Sequence, residues 1–227
     1  MALKFWNKQL LPVPLANRIL FILVLLTVFC VPVLPSTLHL NTYSILITSI
    51  ILIGTQLVSW NRMVALSNAC LAITLVWIGE ILDLNILRDI SKIINAILFI
   101  LIVIDLIRQI NKAKIISLRL LIVAINSYLM IGLVFSIGIA FLMSFNHGSF
   151  SFSKSIVTLD PTESQFGRYI YYAFTTLTTA GYGDIVPLTP LARSMSILIS
   201  VTGQLYIAIV IAMLVGKYIS QKNRIDL

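Results

Sequence analysis

The chain has 227 residues, of which 59% are hydrophobic and only 11% are charged. Soluble globular domains carry about a quarter charged residues, so this composition excludes that class and indicates an integral membrane protein. The formal net charge of +8 does not indicate nucleic-acid binding, because basic residues in a membrane protein usually mark the loops that face the cytoplasm.

Six apolar stretches are candidates for transmembrane helices, since a helix needs about 20 mainly apolar residues to cross about 30 Å of hydrocarbon. In chain order they are residues 19–34, 43–60, 63–79, 93–107, 120–145 and 194–216. The fourth stretch contains Asp105, and we expect Arg108, one helical turn further on, to pair with its carboxylate.

The distribution of basic residues predicts that both termini are cytoplasmic. With six spans and this orientation, most of the 16 Lys and Arg residues fall on the inner side, where such residues are enriched. These are Lys4, Lys8, Arg18, Arg62, Arg108, Lys112, Lys114, Arg119, Lys217, Lys222 and Arg224. We therefore expect a multi-pass protein of the plasma (inner) membrane with membrane lipids as its surroundings.

A further segment lies between the fifth and sixth stretches. Residues 146–164 are rich in Ser, Thr, His and Gly and predict an outer loop. Thr162 and Gln165 have the spacing of a capping box, which predicts the start of a short helix. That helix would run to about residue 178, too short and too polar to span, so we expect it to enter the membrane and turn back.

The expected short helix leads into Thr-Thr-Ala-Gly-Tyr-Gly-Asp at positions 178–184. An ion that leaves water needs its hydration shell replaced by oxygen atoms, which rings of backbone carbonyls provide in potassium filters. To point successive carbonyls the same way, the chain must alternate the sign of φ, and glycine adopts positive φ without steric cost. Gly181 and Gly183 stand at the alternate positions that such a ribbon requires.

This run resembles the signature of the potassium channel superfamily at every position except Ala180, where the family usually has Val or Ile. The resemblance implies a selectivity filter formed by Thr179, Ala180, Gly181, Tyr182 and Gly183. It implies that K+ ions bind the backbone carbonyls of Thr179, Ala180, Gly181 and Tyr182, with the Thr179 hydroxyl as a further ligand. It also implies that four copies of the chain surround one pore.

Residues around the filter extend the resemblance. It implies that Thr178 and Asp184 support the filter, and that Tyr171 and Tyr172 brace it from behind where the family often has two Trp. Gly203 matches a common glycine of the inner helix, which acts as a hinge or simply permits close helix packing. Three further matches line the cavity or the inner gate, namely Ile207, Ile211 and Ala212.

The resemblance divides the chain into three parts. Residues 1–115 form a four-helix N-terminal transmembrane domain that resembles a voltage sensor, residues 116–220 form the pore domain, and residues 221–227 form a short cytoplasmic tail. The fourth stretch has no basic residue between Lys92 and Arg108, so it lacks the arginine ladder of voltage sensors and predicts little voltage dependence. We expect no cytoplasmic ligand-binding domain in this chain.

The expected fold is an all-α membrane protein with six transmembrane helices and a re-entrant pore helix and selectivity filter between helices five and six. The expected function is passive K+ conduction by a homotetramer, without a cofactor other than the K+ ions in the pore. Ala180 leaves a weakly selective cation channel as an alternative, and a chain that retains the motif without conducting would be a regulatory membrane subunit. An enzyme is not expected, because there is no metal-ligand spacing and no paired nucleophile and base.

Overall fold

The computed structural model describes residues 11–33, 36–58, 62–81, 85–113, 115–152 and 165–225. These residues form seven α-helices and one two-stranded sheet. The helices are α1 Val13–Leu25, α2 Ser36–Leu57, α3 Arg62–Ile81, α4 Asn85–Lys112, α5 Leu118–Phe145, α6 Gln165–Leu177 and α7 Pro190–Ile225. The strands are β1 Phe150–Phe152 and β2 Ile185–Pro187.

Four helical stretches within the described residues are long and apolar enough to cross a membrane. They are Val13–Val33, Asp89–Lys112, Leu118–Phe145 and Pro190–Gln221. Two shorter apolar stretches, Thr42–Leu57 in α2 and Ala69–Gly79 in α3, overlap the second and third predicted spans. The helices and the composition together support an integral membrane protein, while the six-span layout stays a prediction.

The first spanning stretch starts earlier than predicted. The carbonyl of Pro12 accepts the backbone N–H groups of Leu15 and Ala16 at 2.9 and 3.0 Å, so α1 begins at Val13. A proline in the first turn is tolerated because its missing N–H would have no helical partner there. Asn17 is buried and donates to Gln109 of α4 at 3.1 Å, which explains how a polar residue is accommodated inside the spanning stretch.

Helix α5 is the centre of the molecule. It packs against α1, α4 and α6, and its contact with α4 is the most extensive between two helices. Two clusters of buried apolar residues meet along it, one with α1, α2 and α4 and the other with α6 and α7. Lipid is as apolar as these side chains, so close van der Waals packing, rather than exclusion of water, holds such helices together.

Helix α7 is much less covered than α5. Within the chain, 61% of the most apolar window of α5 is buried, against 17% for α7. Large apolar side chains are exposed along most of α7, among them Leu191, Ile197, Leu198, Leu205, Ile209, Val215 and Ile219. The helix therefore presents an apolar surface that lipid or another protein chain must cover.

Strands β1 and β2 add an element that the sequence did not predict. They pair antiparallel, with Ser151 opposite Val186, and the Leu188 N–H donates to the Ser149 carbonyl at 2.9 Å. Because β1 follows α5 and β2 follows residue 184, this pair fixes the far end of the 178–184 segment to the end of α5. Pro187 lies at the end of β2, where a missing ladder donor is tolerated.

The C-terminal end of α7 is bonded to the connection between α4 and α5. Lys217 donates from Nζ to the carbonyls of Asn111 and Ala113 at 3.0 and 2.7 Å. The Gln221 side-chain oxygen accepts the backbone N–H of Ile116 at 3.1 Å. A cation at the end of α4 satisfies carbonyls that have no helical partner and complements the negative end of the helix dipole.

A buried carboxylate in α4 has the partner that the sequence predicted. Asp105 is 5% exposed, and its Oδ1 lies 3.5 Å from Nη1 of Arg108, which is half exposed. The contact links the buried carboxylate to a guanidinium group at the surface of the helix bundle. The pair therefore has a structural explanation within α4.

Candidate functional site

Helix α6 leads the chain into the 178–184 segment. The described part of this helix begins at Gln165, and Thr162, the expected N-cap, lies outside the described residues, so the capping box stays a prediction. Its described part has 13 residues and is about 20 Å long, which is shorter than the about 30 Å of hydrocarbon that a spanning helix crosses. Its buried side packs on α5, where the Phe174 ring occupies the space left by the absent side chain of Gly132.

Backbone N–H groups of the segment donate to carbonyls at the end of α6. The N–H of Thr178 donates to the Phe174 carbonyl at 2.9 Å, and that of Gly181 donates to the Thr175 carbonyl at 3.1 Å. These bonds satisfy carbonyls that the end of a helix leaves without partners. Among the described residues, no hydrogen bond reaches the carbonyls of residues 179–183, which leaves these oxygens available to a ligand.

The sign of φ alternates along the segment. It is positive at Thr179 (60°), Gly181 (51°) and Gly183 (79°), and Ala180 and Tyr182 between them do not share it. When left-handed and right-handed backbone conformations alternate in this way, successive N–H groups lie on one side of the chain and the carbonyls on the other. The two glycines were anticipated, but Thr179 was not; it is the only non-glycine residue with positive φ in the described part of the chain.

The glycines of the segment are needed for their backbone conformation and not for space. A Cβ built on Gly181 or Gly183 would meet no atom within 4 Å, yet both have a φ that L-residues rarely adopt. Residues 178–183 are all exposed in the single chain, and Tyr182 is 73% exposed. The segment therefore has one open side, which the described residues of its own chain do not cover.

Tyr171 of α6 holds the C-terminal end of the segment, an arrangement we name the outer anchor. Its hydroxyl donates to Oδ2 of Asp184 at 2.5 Å, and its ring stacks on that of Tyr182 with centroids 6.4 Å apart. The other oxygen, Oδ1, accepts the N–H of Ile185 at 3.0 Å. Burial, and then the Asp184 carboxylate, raise the pKa of Tyr171 to about 12, so the phenol stays protonated and remains a donor at neutral pH.

Tyr172 points to a different place from Tyr171. Its hydroxyl lies 2.6 Å from Oγ of Ser196 on α7, and its ring contacts that of Phe150 on β1 edge to face, with centroids 5.0 Å apart. Tyr172 is buried and connects α6 to α7 and to the strand pair. Within the described chain it supports the helices around the 178–184 segment and does not contact the segment by these groups.

Gln204 of α7 holds the N-terminal end of the segment, an arrangement we name the inner anchor. Its Nε2 donates to the Thr179 hydroxyl at 3.2 Å, and that hydroxyl donates to the Thr178 carbonyl at 2.6 Å. Two bonds thus fix a side chain whose backbone has positive φ, a conformation that costs an L-residue about 1–2 kcal/mol. Gln204 was not among the predicted site residues, although a lone amide within an uncharged apolar stretch is a recognisable signal.

Gly203 lets α7 approach the end of α6. It is buried, and a Cβ at this position would lie 2.0 Å from the Leu177 carbonyl oxygen. The Leu177 oxygen also accepts the hydroxyl of Tyr128 from α5 at 3.4 Å. Small residues in membrane helices commonly serve such close approaches, and this one brings Gln204 within reach of Thr179.

The remaining predicted residues lie further along α7. Ile207 and Ile211 follow Gln204 at helical spacing on the same face and are 39% and 55% exposed. Ala212, on the adjoining face, is also exposed. Tyr206, on another side of the helix, donates to the Ala124 carbonyl at 2.7 Å and fastens α7 to α5. The predicted gate residues therefore share an uncovered side of α7 beyond Thr179.

Residues 121–220 match the model of a protein family described as ion channel. The match covers less than half of the chain, but it includes nearly all of α5, the whole of α6 and the 178–184 segment, and α7 to near its end. No curated protein and no solved structure matches the chain. The family match and the apolar helices together support an ion channel that is integral to a membrane.

Proposed function

We propose that the chain is one subunit of a homotetrameric potassium-selective channel that conducts K+ passively. The observation that carries this proposal is the alternating sign of φ along residues 179–183, whose carbonyls accept no hydrogen bond from described residues. In the proposed channel the carbonyls of Thr179, Ala180, Gly181 and Tyr182, with the Thr179 hydroxyl, replace the hydration shell of K+. Thr178, Asp184 and Tyr171 hold this selectivity filter in place, with Gly183 at its outer end and Tyr172 in its supporting helices.

The proposed assembly follows from the open side of the segment. One chain supplies one strip of oxygen atoms, whereas an ion in a filter needs oxygens on all sides. Copies arranged around an axis close such a ring, and identical subunits usually assemble with closed symmetry. The uncovered apolar surface of α7, of which only 17% is buried within the chain in its most apolar window, provides area for contacts between copies.

The proposed channel has the layout that the sequence predicts. Residues 1–115 form four spans, residues 116–220 form the pore domain, and both termini lie in the cytoplasm of a cell whose plasma (inner) membrane holds the channel. Ile207, Ile211 and Ala212 line the inner cavity, and an apolar constriction at this level closes by losing its water. We expect little dependence on voltage, because α4 lacks basic residues between Lys92 and Arg108.

Planar-bilayer recording of the purified chain under opposed K+ and Na+ gradients tests the proposal. Gly181→Ala should abolish selective K+ current, because alanine is strained at a φ of 51°. Gly216→Ala is the matched control, since a Cβ there would meet no atom within 4 Å and φ is not positive. Normal K+ selectivity in Gly181→Ala would contradict the filter assignment, and conduction by a dimer or trimer would contradict the tetramer.

Ala180 supports one alternative, a weakly selective cation channel. Its methyl group offers less packing behind the filter than Val or Ile, so the ribbon depends more on contacts at its two ends. The same recordings decide between the two readings, because substantial Na+ permeability under the opposed gradients would identify the weakly selective channel. A correctly assembled chain that carries no current would instead be a regulatory membrane subunit.

A further inference from the structure

Gln204 occupies an unusual position for a polar side chain. It lies in the uncharged stretch 194–216 of α7, directly after Gly203, and is exposed in the single chain. Polar side chains are costly in the apolar part of a membrane unless they face a partner or a water-filled space. Its amide has such a partner, the Thr179 hydroxyl 3.2 Å away.

The hydrogen-bond capacity of the Thr179 hydroxyl limits what else it binds. A hydroxyl has one donor and two acceptor lone pairs. The donor is used by the Thr178 carbonyl at 2.6 Å, and one lone pair accepts the Gln204 amide. A single lone pair remains, and its direction is fixed because the other two are occupied. The bond to Gln204 therefore determines where the hydroxyl presents its free electron pair.

From this geometry we infer that Gln204 is a positioning residue for the innermost cation site of the filter. It aims the Thr179 hydroxyl as an ion ligand. It thereby sets the affinity of that site for cations that arrive from the inner cavity, which Ile207 and Ile211 of α7 line in the proposed channel. The inference rests on the proposed function, since it requires ions to pass along residues 178–184. The carbonyl rings of Ala180, Gly181 and Tyr182 lie further out and do not depend on Gln204.

Block by Ba2+ measures this site. Ba2+ is a hard cation with a size near that of K+ and twice the charge, so oxygen ligands that suit K+ hold it longer. In Gln204→Met the helix keeps a side chain of similar length without the donor. Loss of one hydrogen bond should weaken Ba2+ block from the inner cavity by about fivefold. The K+/Na+ permeability ratio, which the outer carbonyl rings set, should stay near the wild-type value.

A double-mutant cycle separates positioning from general packing. In a Thr179→Ala background no hydroxyl remains to be aimed, so Gln204→Met should have no further effect on Ba2+ block. Thr202→Val is the matched control, because Thr202 lies two residues earlier on α7, is half-buried, and does not bond to Thr179. Its block should equal that of the wild type.

The outcomes distinguish this inference from the proposed function. Wild-type channels that carry no K+ current would overturn both. Conducting channels in which Gln204→Met leaves inner-side Ba2+ block unchanged would overturn the inference alone. It would equally be overturned if the effect persisted in full in the Thr179→Ala background, since Gln204 would then act through something other than the hydroxyl.

Discussion

The contact at Gly203 allows a stability prediction for Gly203→Ala. The new Cβ would lie 2.0 Å from the Leu177 carbonyl oxygen and 2.9 Å from its carbon, and both are backbone atoms that no rotamer change relieves. Helix α7 would have to move away from the end of α6 by more than about 1 Å to restore an ordinary contact. The substitution therefore tests whether close approach is the role of this glycine.

The expected cost follows from that displacement. Overpacking of this kind costs about 1–3 kcal/mol, and a shift of α7 would also lengthen the 3.2 Å bond between Gln204 and Thr179, which adds about 1 kcal/mol. Alanine recovers up to about 1 kcal/mol through its higher helix propensity. We expect a net loss of about 1–3 kcal/mol per chain.

Thermal unfolding of the purified assembly measures this loss, at one protein concentration because the stability of an oligomer depends on it. Gly216→Ala is the control on the same helix. A Cβ at Gly216 would meet no atom within 4 Å, so this variant should be as stable as the wild type or more stable by up to about 1 kcal/mol. If Gly203→Ala were as stable as Gly216→Ala, Gly203 would not be needed for close packing. Its role would then be that of a hinge, and the substitution would alter opening alone.

Three further predictions concern the outer anchor, the end of α7 and the response to voltage. Tyr171→Phe should speed the decay of sustained K+ current about fivefold, for about 1 kcal/mol of hydrogen bonding lost at Asp184. Because the folded pKa of Tyr171 is raised to about 12, the bond is fully present below about pH 10 and is lost only as pH rises through about 12. Current should therefore stay constant as pH rises from neutrality to about 9. Lys217→Met should accelerate amide hydrogen exchange around residues 113–117, consistent with about 1–2 kcal/mol lost at the end of α4. Lys112 is an exposed residue in the last turn of α4, and Lys112→Met should not accelerate this exchange. The conductance–voltage curve should be shallow, and a steep curve carrying several gating charges per channel would refute our interpretation of α4.

Local signals in the sequence predicted much of the architecture. Uncharged apolar length located the stretches that became the long helices, and the two glycines located the backbone with positive φ. Each of these signals lies within a few residues of the feature that it predicts. They depend on backbone sterics, on helix length and on a residue's immediate neighbours, which a single sequence displays directly.

Features that depend on distant contacts were not predicted. Thr179 adopts positive φ although it is not glycine, and its side chain is held by Gln204, 25 positions away. Tyr172 and Tyr171 are adjacent in sequence, yet their hydroxyls reach different elements because successive helical residues point about 100° apart. The pairing of β1 with β2 joins segments on either side of α6. A pattern within one stretch does not specify which partner such groups meet.

The two anchors also account for the tolerance of a small residue at position 180. Ala180 is exposed in the single chain and has only a methyl group, so it contributes little packing of its own. The ribbon is instead fixed at Thr179 by Gln204 and at Asp184 by Tyr171, and the glycines set the hand of the backbone between them. In the proposed channel, disturbance of one anchor should therefore affect its own end of the filter first. The inner anchor should change how cations enter, and the outer anchor should change how long the proposed filter stays conductive.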